Sequence, residues 1–150
     1  MLFRSLHGGH NAVSGMRSEV RVNSIIGVTG MGKVNPFDIV PSLSNSKLFQ
    51  RDRNVCGYCS DQFPTSQLER EHIVPLSRGG RDVWMNVVAS CRPCNQHKGA
   101  RLPEESAMPL IYAPYVPSLW EDMILRNRTI LSDQMAFLVA NLPRGSRLHG

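Results

Sequence analysis

No stretch of this 150-residue chain is apolar for long enough to cross a bilayer, which takes about 20 consecutive apolar residues. The first residues, MLFRSLHGGHNAVSGMRSEV, hold no apolar h-region, so no secretory leader is expected and a cytoplasmic location is. Arg4, His7, His10 and Arg17 precede the first acid, Glu19, a faint likeness to a transit peptide. Large apolar residues are scarce before residue 35, where Gly8, Gly9, Gly15, Gly27, Gly30 and Gly32 lie, and most of that stretch reads as a mobile extension. Val20, Val22, Ile25, Ile26 and Val28 suggest one short strand within it. Thr29-Gly30-Met31-Gly32-Lys33 has the glycines of a phosphate loop but not its spacing, and Val34 stands where a hydroxyl is needed. There is no internal repeat beyond one: Cys-x-x-Cys occurs twice, and those are all the cysteines.

What remains is basic and small. The net charge is +5, which suits a polyanionic partner such as DNA. The length fits one domain with tails, small enough for a metal to be a useful staple. Helical character runs from Pro41 to Arg53, with Ser44 or Ser46 as cap and Leu48-Phe49 facing a core. Ile73, Val74 and Leu76 form a short apolar run broken by Pro75, and Ser77–Arg81 reads as a loop. Val83, Trp84, Val87 and Val88 return to the core, and a helix is expected to begin within Cys91–Lys98. Pro103, Pro109, Pro114 and Pro117 mark an irregular connection. Ser118 and Glu121 make a capping-box pattern. Behind it, Trp120, Met123, Ile124, Ile130, Leu131, Met135, Leu138 and Val139 recur at helical spacing, predicting one long helix to about Asn141. The expected organisation is an extension over 1–40, a domain over 41–103, a Pro-rich connection over 104–117, an amphipathic helix over 118–142 and a tail over 143–150.

Two chemistries sit side by side between residues 55 and 99. Cys56/Cys59 and Cys91/Cys94, with 31 residues between the pairs, offer four soft thiolates to a structural zinc. In a reducing compartment such pairs favour metal over disulfides, and a redox Cys-x-x-Cys works as a single pair. Gly57 is expected to allow the tight turn that aims both thiolates at one ion. Nearby lie Glu71-His72, Asn86, Asn95 and His97, the donors of a harder, catalytic cation. Adjacent residues on a strand point to opposite faces, so a bend or a metal site is needed for Glu71 and His72 to act together.

The order CGYC, EHIVPLSRGG, Asn86, CRPCNQHKG resembles the HNH endonuclease family in its cysteine-framed, zinc-stabilised subgroup, across about Leu48 to Lys98. The resemblance implies an α+β fold: a ββα-metal core of two antiparallel strands and a helix, braced by a zinc on the four cysteines, with flanking helices. It implies a metal-dependent DNA endonuclease. His72 would be the general base, and Glu71 a ligand of Mg2+ or Mn2+ where the family more often has Asp. Asn86 would hold the histidine ring or shape the loop through backbone contacts. Asn95 would be the third motif residue, a catalytic ligand, making an H-N-N variant. His97 is the alternative ligand, but on a helix residues 95 and 97 point roughly 200° apart, so both cannot reach one ion. Arg70, Arg78, Arg81, Arg92 and Lys98 become candidate DNA contacts, each also readable as ordinary surface. Competing readings are a zinc-stabilised nucleic-acid-binding module without cleavage, and a structural zinc domain whose terminal helix docks a partner. That helix is also the candidate surface for a homodimer.

Overall fold

The computed structural model describes residues 3–23, 25, 38–126 and 129–149. The phosphate-loop-like stretch and much of the expected strand near Val20–Val28 lie outside them. Among the described residues of the extension, Phe3–His10 (β1) and Arg17–Asn23 (β2) pair as an antiparallel hairpin. Val22 alone is half-buried within residues 5–23. The core lies elsewhere, so the hairpin stands apart from the chemistry.

The site is carried by a second, two-stranded sheet. Leu68–His72 (β3) runs antiparallel to Val87–Cys91 (β4), with Glu71 opposite Val88 and His72 opposite Val87. Every residue of β4 is buried, as befits a strand covered on both sides. Asn45–Arg51 (α1) lays Leu48 and Phe49 against it, and Arg92–Lys98 (α2) follows directly from its end. Leu48, Phe49, Leu68, Trp84, Val87 and Ala89 form the hydrophobic core, with Leu43 and Phe63 at its edge. Ser44 caps α1 through the Lys47 amide, satisfying one of the open donors of the first turn. The mixed α/β character expected from the sequence is present, with two antiparallel strands followed directly by a helix.

The C-terminal helix is corrected. Instead of one helix over 118–142 there are two, Leu119–Leu125 (α3) and Ser132–Ala140 (α4). The start was legible: Ser118 Oγ accepts from the Glu121 amide while Glu121 Oε2 accepts from the Ser118 amide. Thr129 and Ile130 lie between the two helices, residue types that give up more on entering a helix than Leu or Met. Gln134 Oε1 then accepts from the Leu131 amide and starts the second helix. The apolar stripe folds back on itself, Trp120 meeting Phe137 edge-to-face at 5.8 Å between ring centroids. Lys47 of α1 pairs with Asp122 of α3 at 2.6 Å, tying this helical pair to the core. Among the described residues no helix is long and apolar enough to cross a membrane.

One buried cation joins these parts. Arg51, fully buried, pairs with the Asp52 carboxylate through Nε (2.8 Å) and one terminal nitrogen (3.0 Å). It also donates to the carbonyls of Trp84, Val87 and Tyr115 at 2.9–3.0 Å. Its guanidinium lies 5.4 Å from the Trp84 ring centroid and 5.5 Å from that of Tyr115. Asp52 in turn accepts from the Ala89 amide at 2.8 Å. Removing one partner of a buried pair strands the other's charge, which costs about 3–5 kcal/mol. Arg51→Ala is therefore expected to lower unfolding stability by about 3–5 kcal/mol in urea titrations. A loss under about 1 kcal/mol would contradict this assignment.

Candidate active site and metal centre

The four cysteines meet. Cys56 and Cys59 lie on the turn before β3, Cys91 ends β4 and Cys94 sits in the first turn of α2. Their sulfurs all lie within 4.8 Å of one another, with Cys59 and Cys91 at 4.0 Å. Four thiolates about 2.3 Å from a tetrahedral zinc would stand about 3.8 Å apart, so the residues fit such an ion. Burial works to raise the Cys56 thiol, but the amides of Cys59, Cys91 and Tyr58 outweigh it and bring it to about 7. Burial pushes Cys59 up to about 11 and raises Cys94 as well. Burial first, and then the neighbouring sulfurs, oppose ionisation of Cys59 and Cys94 in the absence of a cation. Gly57 sits in close quarters, not in an unusual backbone: a Cβ there would lie 3.2 Å from the Val88 side chain, which would have to shift by a few tenths of an ångström.

Strand alternation sorts the chemistry of β3 into two faces. Glu69 and Glu71 face α2. Glu71, 6% exposed, accepts from Lys98 Nζ at 2.5 Å, and Glu69 accepts from Asn95 Nδ2 at 2.6 Å. Burial raises the Glu71 carboxyl above its ordinary value, and Lys98 works against that shift. Arg70 and His72 face the other way, and both reach Asp82. His72 Nε2 lies 2.9 Å from Asp82 Oδ1, and Arg70 donates to Asp82 Oδ2 at 2.7 Å. The hydrogen bond with His72, followed by Arg70, holds the Asp82 carboxyl below the usual range.

Of the bend or metal site that Glu71 and His72 need to act together, a bend follows them directly. The chain bends at Ile73 and Val74, where β3 ends, and residues Glu71 and His72 line a cleft of about 300 Å3 with Pro75, Leu76, Ser77, Gly99 and Ala100. Asn86 holds the loop that forms one wall. Its Nδ2 donates to the carbonyls of Val74 and Arg81, and its Oδ1 accepts from the Val74 amide. It acts on backbone and not on the imidazole. Gly80 closes the loop, because a Cβ there would lie 1.8 Å from the Val74 carbonyl oxygen.

The remaining candidates separate. Asn95 lies beside the acidic face. His97 is exposed on α2, with its carbonyl accepting from Arg101 and no bond to Glu69 or Glu71. Lys98 is not the surface phosphate contact expected from its position one turn after Asn95. It is fully buried, held by Glu71 and by the His72 carbonyl at 2.9 Å, because the buried carboxylate needs a counter-charge. Arg70, Arg78 and Arg92 pair with Asp82, Glu105 and Glu69, while Arg81 is exposed. Sequence reasoning missed Glu69 and Asp82. The Glu-x-Glu spacing could have revealed the first, since i and i+2 share a strand face, but Asp82 meets His72 only through the loop.

A family model described as HNH endonuclease matches residues 56–111, the stretch from the first cysteine through α2 and into the following connection. This segment is of the HNH endonuclease family. The CRISPR-associated endonuclease Cas9 of Corynebacterium diphtheriae is 41% identical to this chain over 51 residues, 33% of this chain and 5% of that protein. The chain thus spans only a small part of the relative's length.

Two outcomes are expected from this geometry. Metal analysis should find about one zinc per chain, and Cys91→Ser should lose both the zinc and the cooperative fold; a zinc-free variant with an unchanged unfolding curve would contradict the clamp. The second concerns Glu71, whose folded value lies above its unfolded one, about 4.3. Between those values the folded HNH segment holds more protons, so this group's contribution to stability falls as pH rises. Lys98→Met removes the opposing charge and widens that window. Its stability deficit in magnesium-free buffer should be small near pH 4 and grow to about 3–5 kcal/mol by neutral pH. A deficit independent of pH would mean the pair does not carry it.

Proposed function

We propose that this protein is a metal-dependent endonuclease that hydrolyses DNA phosphodiester bonds, with His72 as the general base. The observation that carries this reading is the convergence at the end of β3. His72 and the buried Glu71 line one cleft, and α2 brings Asn95 to the same acidic face. The match of residues 56–111 to the HNH endonuclease family supports it.

In the proposed reaction His72 takes a proton from water, and the water oxygen bonds to phosphorus as the bond to the 3′-oxygen breaks. The leaving 3′-oxygen takes up a proton from solvent and His72 releases its own to solvent, so the products are a 5′-phosphate and a 3′-hydroxyl. Glu71 and Asn95 would hold the divalent ion, Mg2+ or Mn2+, and Glu69 adds a third oxygen donor on their face. These are hard ligands suited to such an ion. When bound, it would supply positive charge where negative charge develops on the phosphate and leaving oxygen. Asn86 serves by fixing the loop. Arg78, Arg81 and Arg92, all exposed, are the side chains best disposed to meet DNA phosphates, exchanging their present partners for them. The soft thiolates are assigned to structural zinc and the oxygen donors to catalysis.

Supercoiled plasmid is the direct assay. Purified protein with Mg2+ or Mn2+ is expected to nick or linearise it, and His72→Ala to slow this by roughly 10²–10⁴-fold, the usual worth of general base catalysis. Glu71→Gln and Asn95→Ala should also raise the metal concentration needed for half-maximal rate. Plasmid binding with no cleavage by the parent would favour a nucleic-acid-binding module instead. A His72→Ala protein as fast as the parent would overturn the mechanism.

A further inference from the structure

We propose that Asp82 is a positioning residue that fixes the tautomer of His72, so that Nδ1 is the nitrogen offered to the attacking water. The proposal rests on the general-base reading of His72 and names the partner that orients it.

Asp82 meets His72 as a hydrogen-bond acceptor. Its Oδ2 receives Arg70 at 2.7 Å, so it sits in that ion pair as a carboxylate, which accepts hydrogen bonds and donates none. The 2.9 Å contact between Asp82 Oδ1 and His72 Nε2 must then be filled by a proton on Nε2. A neutral imidazole carries one N–H, so the lone pair falls to Nδ1. A base needs a lone pair, and the geometry assigns it to one nitrogen.

The carboxylate is itself held on two sides. Arg70 Nε donates to Asn45 Oδ1 at 2.8 Å, at the start of α1. From the chain side, Asn86 donates to the carbonyl of Arg81, the residue before Asp82, and the Val83 amide donates to the same carbonyl. The middle asparagine therefore acts on His72 at one remove. The same Asp82 carboxylate would stabilise the imidazolium formed on proton capture, an effect that follows from an opposite charge within hydrogen-bond distance. Asp82 is 48% exposed and outside the hydrophobic core, so it can be varied with the fold left in place.

Long-range proton–nitrogen spectra of 15N-labelled protein, recorded where the histidines are neutral, read the tautomer without any cleavage. The parent is expected to show His72 protonated on Nε2. Asp82→Asn can both donate and accept at that contact, so its His72 should show mixed tautomers. Its turnover should fall by about 10–100-fold at unchanged plasmid KM, within the worth of the base it positions. Asp82→Glu, again acceptor-only, should recover the Nε2 proton and part of the rate. Backbone amide spectra superimposable on the parent's establish that each variant is folded. A parent His72 protonated on Nδ1, or Asp82→Asn at the parent turnover, overturns the positioning proposal while leaving the general base intact. Undiminished nicking by His72→Ala overturns the general-base reading, whatever the tautomer.

Discussion

The site depends on where β4 lies, and β4 is placed by Arg51. Its guanidinium donates to the carbonyls of Trp84 and Val87, at the entry to the strand, while its partner Asp52 accepts from the Ala89 amide within it. Those bonds use one buried charge pair to satisfy backbone groups that would otherwise stand unpaired in the core. From β4 everything else follows. β3 is registered against it, so Glu71 and His72 inherit its position, and α2 leaves its end with Asn95 and Lys98. The third carbonyl, Tyr115, extends the constraint to the segment after the HNH stretch. Arg147 closes that side, stacking 3.9 Å from the Tyr112 ring centroid and donating to the Ala113 carbonyl. Tyr112 donates to Val55 at the threshold of the first cysteine pair. The irregular Pro-rich connection is thus a strap across the core.

Charge is compensated separately on each face of β3. On the α2 side two carboxylates are met by Lys98, Asn95 and Arg92. On the other, Asp82 joins His72 to Arg70. The separation has a chemical use in the proposed reaction. A cation held by the acids and a proton accepted by the imidazole are like charges, and keeping them on opposite sides of one strand limits their mutual opposition. The strand then ends at once, and the bend at Ile73 and Val74 lets both sides open on a common cleft. A longer strand would have left Glu71 and His72 facing unrelated surroundings.

Much of this was legible in the sequence because it is local. The Cys-x-x-Cys pairs, a serine cap on α1, which the sequence left between Ser44 and Ser46, and the Ser118–Glu121 box each depend on residues within a few positions of one another. What was not legible depends on contact between distant segments. Lys98 looked like a surface cation from its helical position, and only the buried Glu71 across the sheet explains its burial. Arg51 sat in a run of charged residues that read as the end of a helix, while its partners lie 33, 36 and 64 positions on. The long terminal helix failed for a related reason. The apolar spacing persists through Ile130 and Leu131, and a stripe of that period fits one helix or two folded together equally well. The β-branched Thr129 and Ile130 at the break and the packing of Trp120 on Phe137 decide for two.

The thiolate cluster and the Arg51 pair constrain the same unit from different ends, and neither substitutes for the other. The cysteines join the turn before β3 to the junction of β4 and α2, so they govern how α2 stands over the acidic face. Arg51 acts at the entry to β4, near the Trp84–Asn86 turn from which Asn86 holds the loop carrying Asp82. Loosening the first would disturb Asn95 and Lys98 before His72, whereas loosening the second would disturb Asp82 and His72 before Asn95. The two halves of the proposed chemistry, metal binding and proton removal, are on this argument supported by two different kinds of bond. That is why a chain with so small a core can hold both on one short hairpin.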